Sequence, residues 1–264
     1  MVSPSENFEK LYPGRRAKLE KIVRYHAFDT MLYRTNDWIH SLRVRWLVEE
    51  LLPITKSHFK RFNAERAITI ALVHDDAETI TGDVLAGHKA VMSKRALLKV
   101  HNAERRAISL LGKRHSIKVG GVYPYGELLS EIFEKKTVEA QLVSYADKMD
   151  GYCESLHELY AGNFSLLRSA IFYTNIFAHA DEKFPKLKPM LGDKRSPFTD
   201  LRSFLREHSI KGSKYAHFGK PFTARSLRLP SQFPFYDRWR AITLERGGKE
   251  GLDALVKQKE FMKK

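Results

Sequence analysis

The sequence predicts an all-α fold that gives way, near residue 181, to a basic extension broken by prolines. Three observations carry this. Apolar residues recur at helical spacing along most of residues 38–180, β-branched alternation of the kind that marks strands is nearly absent, and prolines at 185, 189, 197, 221, 230 and 234 divide the remainder of the chain into short pieces. A chain of 264 residues can bury a substantial core unaided, and its single cysteine, Cys153, excludes both an internal disulfide and a Cys-rich zinc module. Residues 1–180 are therefore expected to form the core, with 181–264 as an extension packed on or near it.

Each element has its own signal. From Trp38 to Leu52 a stripe of His40, Val44, Leu47 and Leu51 marks a helix, with Thr35, Asn36 or Asp37 as its cap and Pro53 as its stop. A second helix begins after Asn63, where Ala67, Ile70, Ala71 and His74 share one face. Residues 89–111 read as a third, with Val91, Leu98, Ala107, Ile108 and Leu111 on its apolar side and Gly112 as its terminator. The stretch KRHSIKVGGVYPYG is a turn-rich connection. A long helical pattern runs from Glu127 to about Tyr160, with Leu129, Ile132, Phe133, Ala140, Val143, Ala146 and Met149 on its buried side and Asp147 among them. Residues 163–180 are helical again, and Asp253–Lys264 reads as a short solvated helix.

Composition narrows the function classes. A formal net charge of +15 makes a positive field that favours phosphorylated ligands or nucleic acid, although a solvated basic surface accounts for it equally well. Between Leu201 and Pro230 seven Lys or Arg residues accompany the single acid Glu207, with Phe204, Tyr215, Phe218 and Phe222 interleaved. Such an arm either follows a phosphate backbone and stacks bases or packs its aromatics on the core with its charges in water. The N-terminal MVSPSENFEKLYPGRRAK lacks the apolar run of a signal peptide, and nothing approaches the ~18 apolar residues of a membrane span, so a cytoplasmic protein with no membrane partner is expected. No Walker or Rossmann glycine loop is present.

Chemistry concentrates in VHDDAETITGD, residues 73–83, where one histidine and four carboxylates follow an apolar run. His40, His74, Asp75 and Asp147 are all metal-ligand types, carried by three predicted helices, and helical bundles build metal sites by pointing ligands from facing helices into one pocket. Two imidazoles and two carboxylates suit one divalent transition metal (Mn, Co, Fe, Ni or Zn) better than Ca. Singly, each has another reading: His40 as a hydrogen-bonded core residue, Asp147 as the partner of a neighbouring cation, Asp75 as an exposed helix end. Together they are costly to bury without a compensating ion. Glu78, one turn beyond His74, would face the same pocket to orient a water or protonate a leaving oxygen, or would form a helix-end salt bridge. Asp76 receives no role.

The order H…HD…D, as His40, His74-Asp75 and Asp147, resembles the signature of the HD-domain phosphohydrolase superfamily, and HDDAETITGD resembles the bacterial HD-domain 5'-deoxynucleotidases, whose motif keeps a Glu four and an Asp nine residues after the paired His, here Glu78 and Asp83. The words HSLRV around His40 and YADKMDG around Asp147 are similar to that family's first and last ligand motifs, and the likeness covers roughly residues 20–165. It implies an HD-type helical bundle in which His40, His74, Asp75 and Asp147 bind the metal and Asp83 assists leaving-group protonation or holds the nucleoside. It also implies an Arg followed by an aromatic upstream of the first His, to hold phosphate and sugar. Arg24-Tyr25 is the nearest match, with Arg34 as another guanidinium for that role. Ile39 stands where the family usually has Glu. The expected reaction is release of phosphate from nucleoside, especially deoxynucleoside, 5'-monophosphates, and a homodimer is common in the family. The alternatives are an HD-type dNTP triphosphohydrolase, a guanosine-tetraphosphate hydrolase, a nuclease, or a nucleic-acid-binding protein whose metal site is not catalytic. His88, His101 and His115 offer ligands for a second metal.

Overall fold

A computed structural model describes residues 8, 10–28, 31–33, 35–201, 205 and 233–253. They fall into two compact units interleaved in sequence, one built from residues 1–26, 34–49 and 61–146 and the other from 27–33, 50–60 and 147–264, which does not follow a linear division at residue 180. The regular elements among the described residues are helices, apart from one two-stranded ribbon and an isolated bridge between Val23 and Asn36.

In the first unit, α1 (Arg15–Glu20) precedes α2 (Asp37–His58), whose later part belongs to the second unit. Asn36 is its cap, since its side-chain oxygen accepts from the Ile39 amide at 3.0 Å. Asn63 does the same for α3 (Ala64–Val73), accepting from the Arg66 amide at 3.0 Å, and Ala67, Ile70 and Ala71 are buried as their spacing requires. The helix expected over 89–111 is two, α5 (Ala86–Val91) and α6 (Lys94–Arg114), after a short α4 (Glu78–Thr81). Ser93 restarts the chain between them by capping the Ala96 amide, and Val91 and Leu98 are exposed instead of buried. Gly112 does not terminate α6. It lies within the helix, where a Cβ would come within 3.1 Å of the Gly126 Cα, so it permits close approach to α7 (Tyr125–Glu134).

The turn-rich connection forms a ribbon of β1 (Lys118–Val119) and β2 (Tyr123–Pro124), paired antiparallel with Lys118 opposite Pro124 and closed through Gly120 and Gly121, both at positive φ. The long pattern from Glu127 also divides. Lys135 adopts φ 54°, ending α7, and the Thr137 hydroxyl caps α8 (Val138–Tyr160) through the Ala140 amide at 3.1 Å. Ala140, Val143, Ala146 and Met149 are buried on α8 as expected.

The second unit holds the C-terminal parts of α2 and α8 with α9 (Leu167–Ala178), α10 (Ala180–Lys183) and α11 (Pro234–Asp253). Pro53 does not stop α2, which runs on to His58. Burial of Leu51, Ile54 and Thr55 holds the turn around it, and the Thr55 hydroxyl donates to the Leu51 carbonyl at 2.8 Å. α11 is absent from the sequence reading because Pro234 reads as a breaker, whereas proline suits the first turn of a helix. Its Phe235, Trp239 and Ile242 are buried, Trp239 Nε1 donates to Asp150 Oδ1 at 2.6 Å, and Arg238 pairs with Glu50 at 2.8 Å. The basic aromatic arm, including Phe204, Tyr215, Phe218 and Phe222, and the predicted helix over 254–264 lie outside the described residues. No helix among the described residues is long and apolar enough to cross a membrane.

Candidate metal centre

The first unit assembles most of the predicted site from two helix ends. His40 lies in the first turns of α2, fully buried, and His74 is the residue at which α3 ends. Their rings stand 5.1 Å apart at 60°, with the two Nε2 atoms 3.2 Å from each other. Asp75 Oδ2 completes the triangle, 3.3 Å from His40 Nε2 and 3.1 Å from His74 Nε2. The Ala71 carbonyl, 2.9 Å from His74 Nδ1, takes the proton on that side and leaves Nε2 as a lone-pair donor facing His40 and Asp75. Two imidazole nitrogens and a carboxylate oxygen so close, and so nearly closed to water, repel unless a proton or a cation lies between them. The donor set fits a divalent transition metal.

Asp147 follows Ala146 on α8 as the first residue of the second unit in that stretch, with Lys148 Nζ 2.5 Å from its Oδ2. Arg24 is brought to the site by backbone pairing: its amide donates to the Thr35 carbonyl at 3.0 Å, and the Asp37 amide donates to the Ile22 carbonyl at 3.1 Å. Its guanidinium lies 3.9 Å from an oxygen of Asp75 and 3.9 Å from one of Asp37. Tyr25, at φ 53°, is buried with its ring centroid 5.7 Å from the Arg24 guanidinium carbon. Arg34 lies outside the described residues.

Glu78 begins α4, and Asp83 follows Gly82, whose φ of 73° makes the turn. Glu78 Oε2 and Asp83 Oδ2 are buried with no hydrogen-bond partner among the described residues. Burial, joined by the charges of Asp75, Asp37 and Asp83, holds the Glu78 carboxyl well above its ordinary range, and burial likewise raises Asp83 against the opposing pull of Arg24. Burial also works to raise Asp75, but the His74 and His40 imidazoles outweigh it and hold that carboxyl well below its usual range.

Two residues have parts that the sequence reading missed. Asp37, considered only as a cap, is fully buried and pushed up to about 8 by burial and the Asp75 charge. Its signal was its place three residues before His40, on the same helical face. Asp76, given no role, points away from Asp75 into the core of the unit: Arg15 Nε donates to its two oxygens at 2.9 and 2.8 Å, and the Tyr125 hydroxyl donates to Oδ2 at 2.7 Å. Of the additional histidines, His101 meets Phe133 edge-on and His115 stacks on Tyr12 at 3.8 Å. Neither these two nor His88 joins a metal-holding group among the described residues.

Residues 15–177 match the model of a family described as 5'-deoxynucleotidase YfbR-like. A 5'-deoxynucleotidase of Vibrio vulnificus is 29% identical over 154 residues, covering 56% of this chain and 74% of the relative. One from Yersinia pseudotuberculosis is 31% identical over 147 residues, covering 53% and 69%. Among solved structures, an HD-domain phosphohydrolase from Listeria innocua superposes with a TM-score of 0.55 at 21% identity over 75% of this chain and 96% of its own. A conserved hypothetical protein from Pyrococcus furiosus does so with a TM-score of 0.53 at 22% identity, over the same 75% and 96%. At such identities the structural likeness speaks for the all-α HD-type fold alone, while the family match spans well over half of the chain. With its paired His and Asp on a helix end and its acids four and nine residues on, the chain belongs to the YfbR-like 5'-deoxynucleotidase family of metal-dependent nucleotide phosphohydrolases.

Proposed function

We propose that this chain releases phosphate from deoxynucleoside 5'-monophosphates, with one divalent transition metal (Mn, Co, Fe, Ni or Zn) held by His40, His74, Asp75 and Asp147. The observation that carries the reading is the convergence of His40 Nε2, His74 Nε2 and Asp75 Oδ2 within 3.3 Å of one another. Asp147 is included because it continues α8 directly from the first unit and because the motif around it matches the family's last ligand. A cation there supplies positive charge for the phosphoryl oxygens and acidity for the attacking water.

The remaining tasks fall to side chains. Arg24 offers a guanidinium to the phosphate, with Tyr25 packed beside it and Arg34 as a further candidate from sequence. Glu78 orients the attacking water or gives a proton to the leaving 5' oxygen, and burial together with its acidic neighbours favours the protonated form that donation needs. Asp83, held up by burial in the same way, assists with that proton or holds the nucleoside.

A matrix of metals against nucleoside mono-, di- and triphosphates, with chromatographic identification of products, tests this reading. Nucleoside plus orthophosphate from deoxynucleoside monophosphates is the expected outcome, with loss of activity in Asp75→Ala at unchanged helix content. Nucleoside plus triphosphate would replace it with the triphosphohydrolase reading, and a folded, metal-loaded chain inert towards every nucleotide would overturn it.

A further inference from the structure

The segment that carries the proposed phosphate ligands is held by a carboxylate that the reaction does not use. Arg24 and Tyr25 stand at one end of residues 24–35 and Arg34 near the other, and the ends are joined by the Val23–Asn36 bridge, where the Arg24 amide donates to the Thr35 carbonyl at 3.0 Å. Residues 27–33 between them belong to the second unit, and none of the described ones is fully buried, with Leu32 43% exposed. Apolar packing therefore does little to fix them. Glu158 of α8, 1% exposed, does it instead: Oε2 accepts from the Leu32 amide at 2.9 Å and from the Asn163 side-chain amide at 2.6 Å, and Oε1 accepts from the Tyr33 amide. Burying a carboxylate is a costly way to hold a surface segment, but it fixes two consecutive amides in direction as well as in distance. The Tyr33 ring lies 4.1 Å from the His157 ring, and His157 Nδ1 is 2.8 Å from the Tyr236 hydroxyl on α11, a helix beyond the family match at residues 15–177.

We propose that Glu158 is a positioning residue for nucleotide binding, fixing the Leu32 and Tyr33 amides so that residues 24–35 present their guanidiniums in one conformation, with α11 backing the same segment through Tyr236 and His157. The C-terminal extension is then a working part of nucleotide binding. Tyr33 precedes Arg34 directly and is two residues from Thr35, whose carbonyl receives the Arg24 amide, so a shift at the pinned amides passes along a few bonds to both guanidiniums. Without the pin the segment samples many conformations, and phosphate is gripped in only a fraction of them, which weakens binding by that fraction. His40, His74 and Asp75 lie outside residues 24–35, so metal binding and the chemical step are spared, and the effect falls on KM. The inference rests on the reading of Arg24, Tyr25 and Arg34 as the groups that hold phosphate and sugar.

Glu158→Gln in the full-length, Mn²⁺-loaded chain is the test, since it keeps the size of the side chain but leaves one acceptor oxygen and turns an NH₂ group towards backbone donors. KM for a deoxynucleoside 5'-monophosphate should rise about tenfold with kcat within about threefold of the wild type, and affinity for inorganic phosphate, by titration calorimetry, should fall about tenfold. The Mn²⁺ bound should stay the same, and deuterium exchange at the Leu32 and Tyr33 amides should quicken. Tyr236→Phe, which keeps the ring and loses the hydroxyl, should raise KM about twofold to threefold. A purely structural role would look like Asp193→Ala, whose partners His58 and Arg195 lie outside residues 24–35 and whose loss should lower the melting temperature at unchanged KM. KM and phosphate affinity as in the wild type despite faster exchange, or a fall in kcat alone, overturns the proposal. Should Glu158→Gln fail to fold, Tyr236→Phe decides, and an unchanged KM there overturns it. Phosphate release at unchanged KM sinks only the positioning role, whereas a wild type inert towards every nucleotide, with phosphate affinity still lost in Glu158→Gln, sinks the nucleotidase reading and leaves the positioning role standing.

Discussion

Removing the Asp76 carboxylate should unfold the first unit more readily than removing Asp75 beside it. Asp76 is 0% exposed and answers a guanidinium that is 2% exposed: Arg15 bonds both of its oxygens, reaches the Leu72 carbonyl with Nη2, and lies 4.8 Å from the Phe8 ring centroid. Asp76→Ala leaves that cation buried without its counter-charge, which costs about 3–5 kcal/mol. The Tyr125 hydroxyl loses its acceptor too, a further effect of about 1–3 kcal/mol that overlaps the first, because both belong to one network. Against a typical total of about 5–15 kcal/mol, the variant should melt roughly 6–20 °C lower, and its urea midpoint should fall in proportion. The double change Arg15→Met with Asp76→Leu should recover most of the loss, since a buried ion pair replaced by apolar groups of similar volume is often neutral. A cost below about 1 kcal/mol for Asp76→Ala, or a double variant no better than the single one, would refute the claim that the network secures the end of α3.

Asp75→Asn should cost much less: nucleotide hydrolysis disappears, while the metal-free chain melts within a few degrees of the wild type, because the lost attraction of His74 and His40 is offset by relief of the neighbouring acids Asp37 and Glu78; a melting temperature as low as that of Asp76→Ala would contradict this. For pH, the sign follows from Asp37, whose carboxyl is raised to about 8 in the fold. Its stabilising proton is fully present below the ordinary carboxylate value near 4 and lost as pH rises towards about 8, so urea midpoints in chelator should fall from pH 5 to pH 8 and fall less steeply in Asp37→Asn, where the raised carboxyls of Glu78 and Asp83 keep part of the slope. Gly112→Ala should cost about 1–3 kcal/mol, because its Cβ would press on the Gly126 backbone at 3.1 Å, whereas Gly87→Ala, with nothing within 4 Å, should cost nothing; equal melting curves for the two would remove the close approach of α6 and α7 as a constraint.

Within VHDDAETITGD, adjacent carboxylates have opposite fates, and their difference marks where sequence reasoning reaches its limit. His74 and Asp75 were legible because their types recur at ligand spacing with His40 and Asp147. Helix boundaries were less so: Pro53 continues α2 and Pro234 starts α11, since the cost of a proline depends on which groups around it are already satisfied. Asp76 was illegible because its partners, Arg15 and Tyr125, lie 61 and 49 residues away, and nothing local to the motif announces a buried cation. Asp37 was hidden for a different reason. An acid in the first turn of a helix has a sufficient local explanation in the helix dipole, and only its burial without a hydrogen bond shows that the explanation fails. The two acids bracket the site in complementary ways. Asp76 is neutralised from within by Arg15, which fixes the helix end, so Asp75 can be held among groups that the chain leaves for an external cation to neutralise. A motif with one acid in place of the pair would have to choose between anchoring its helix and binding its metal.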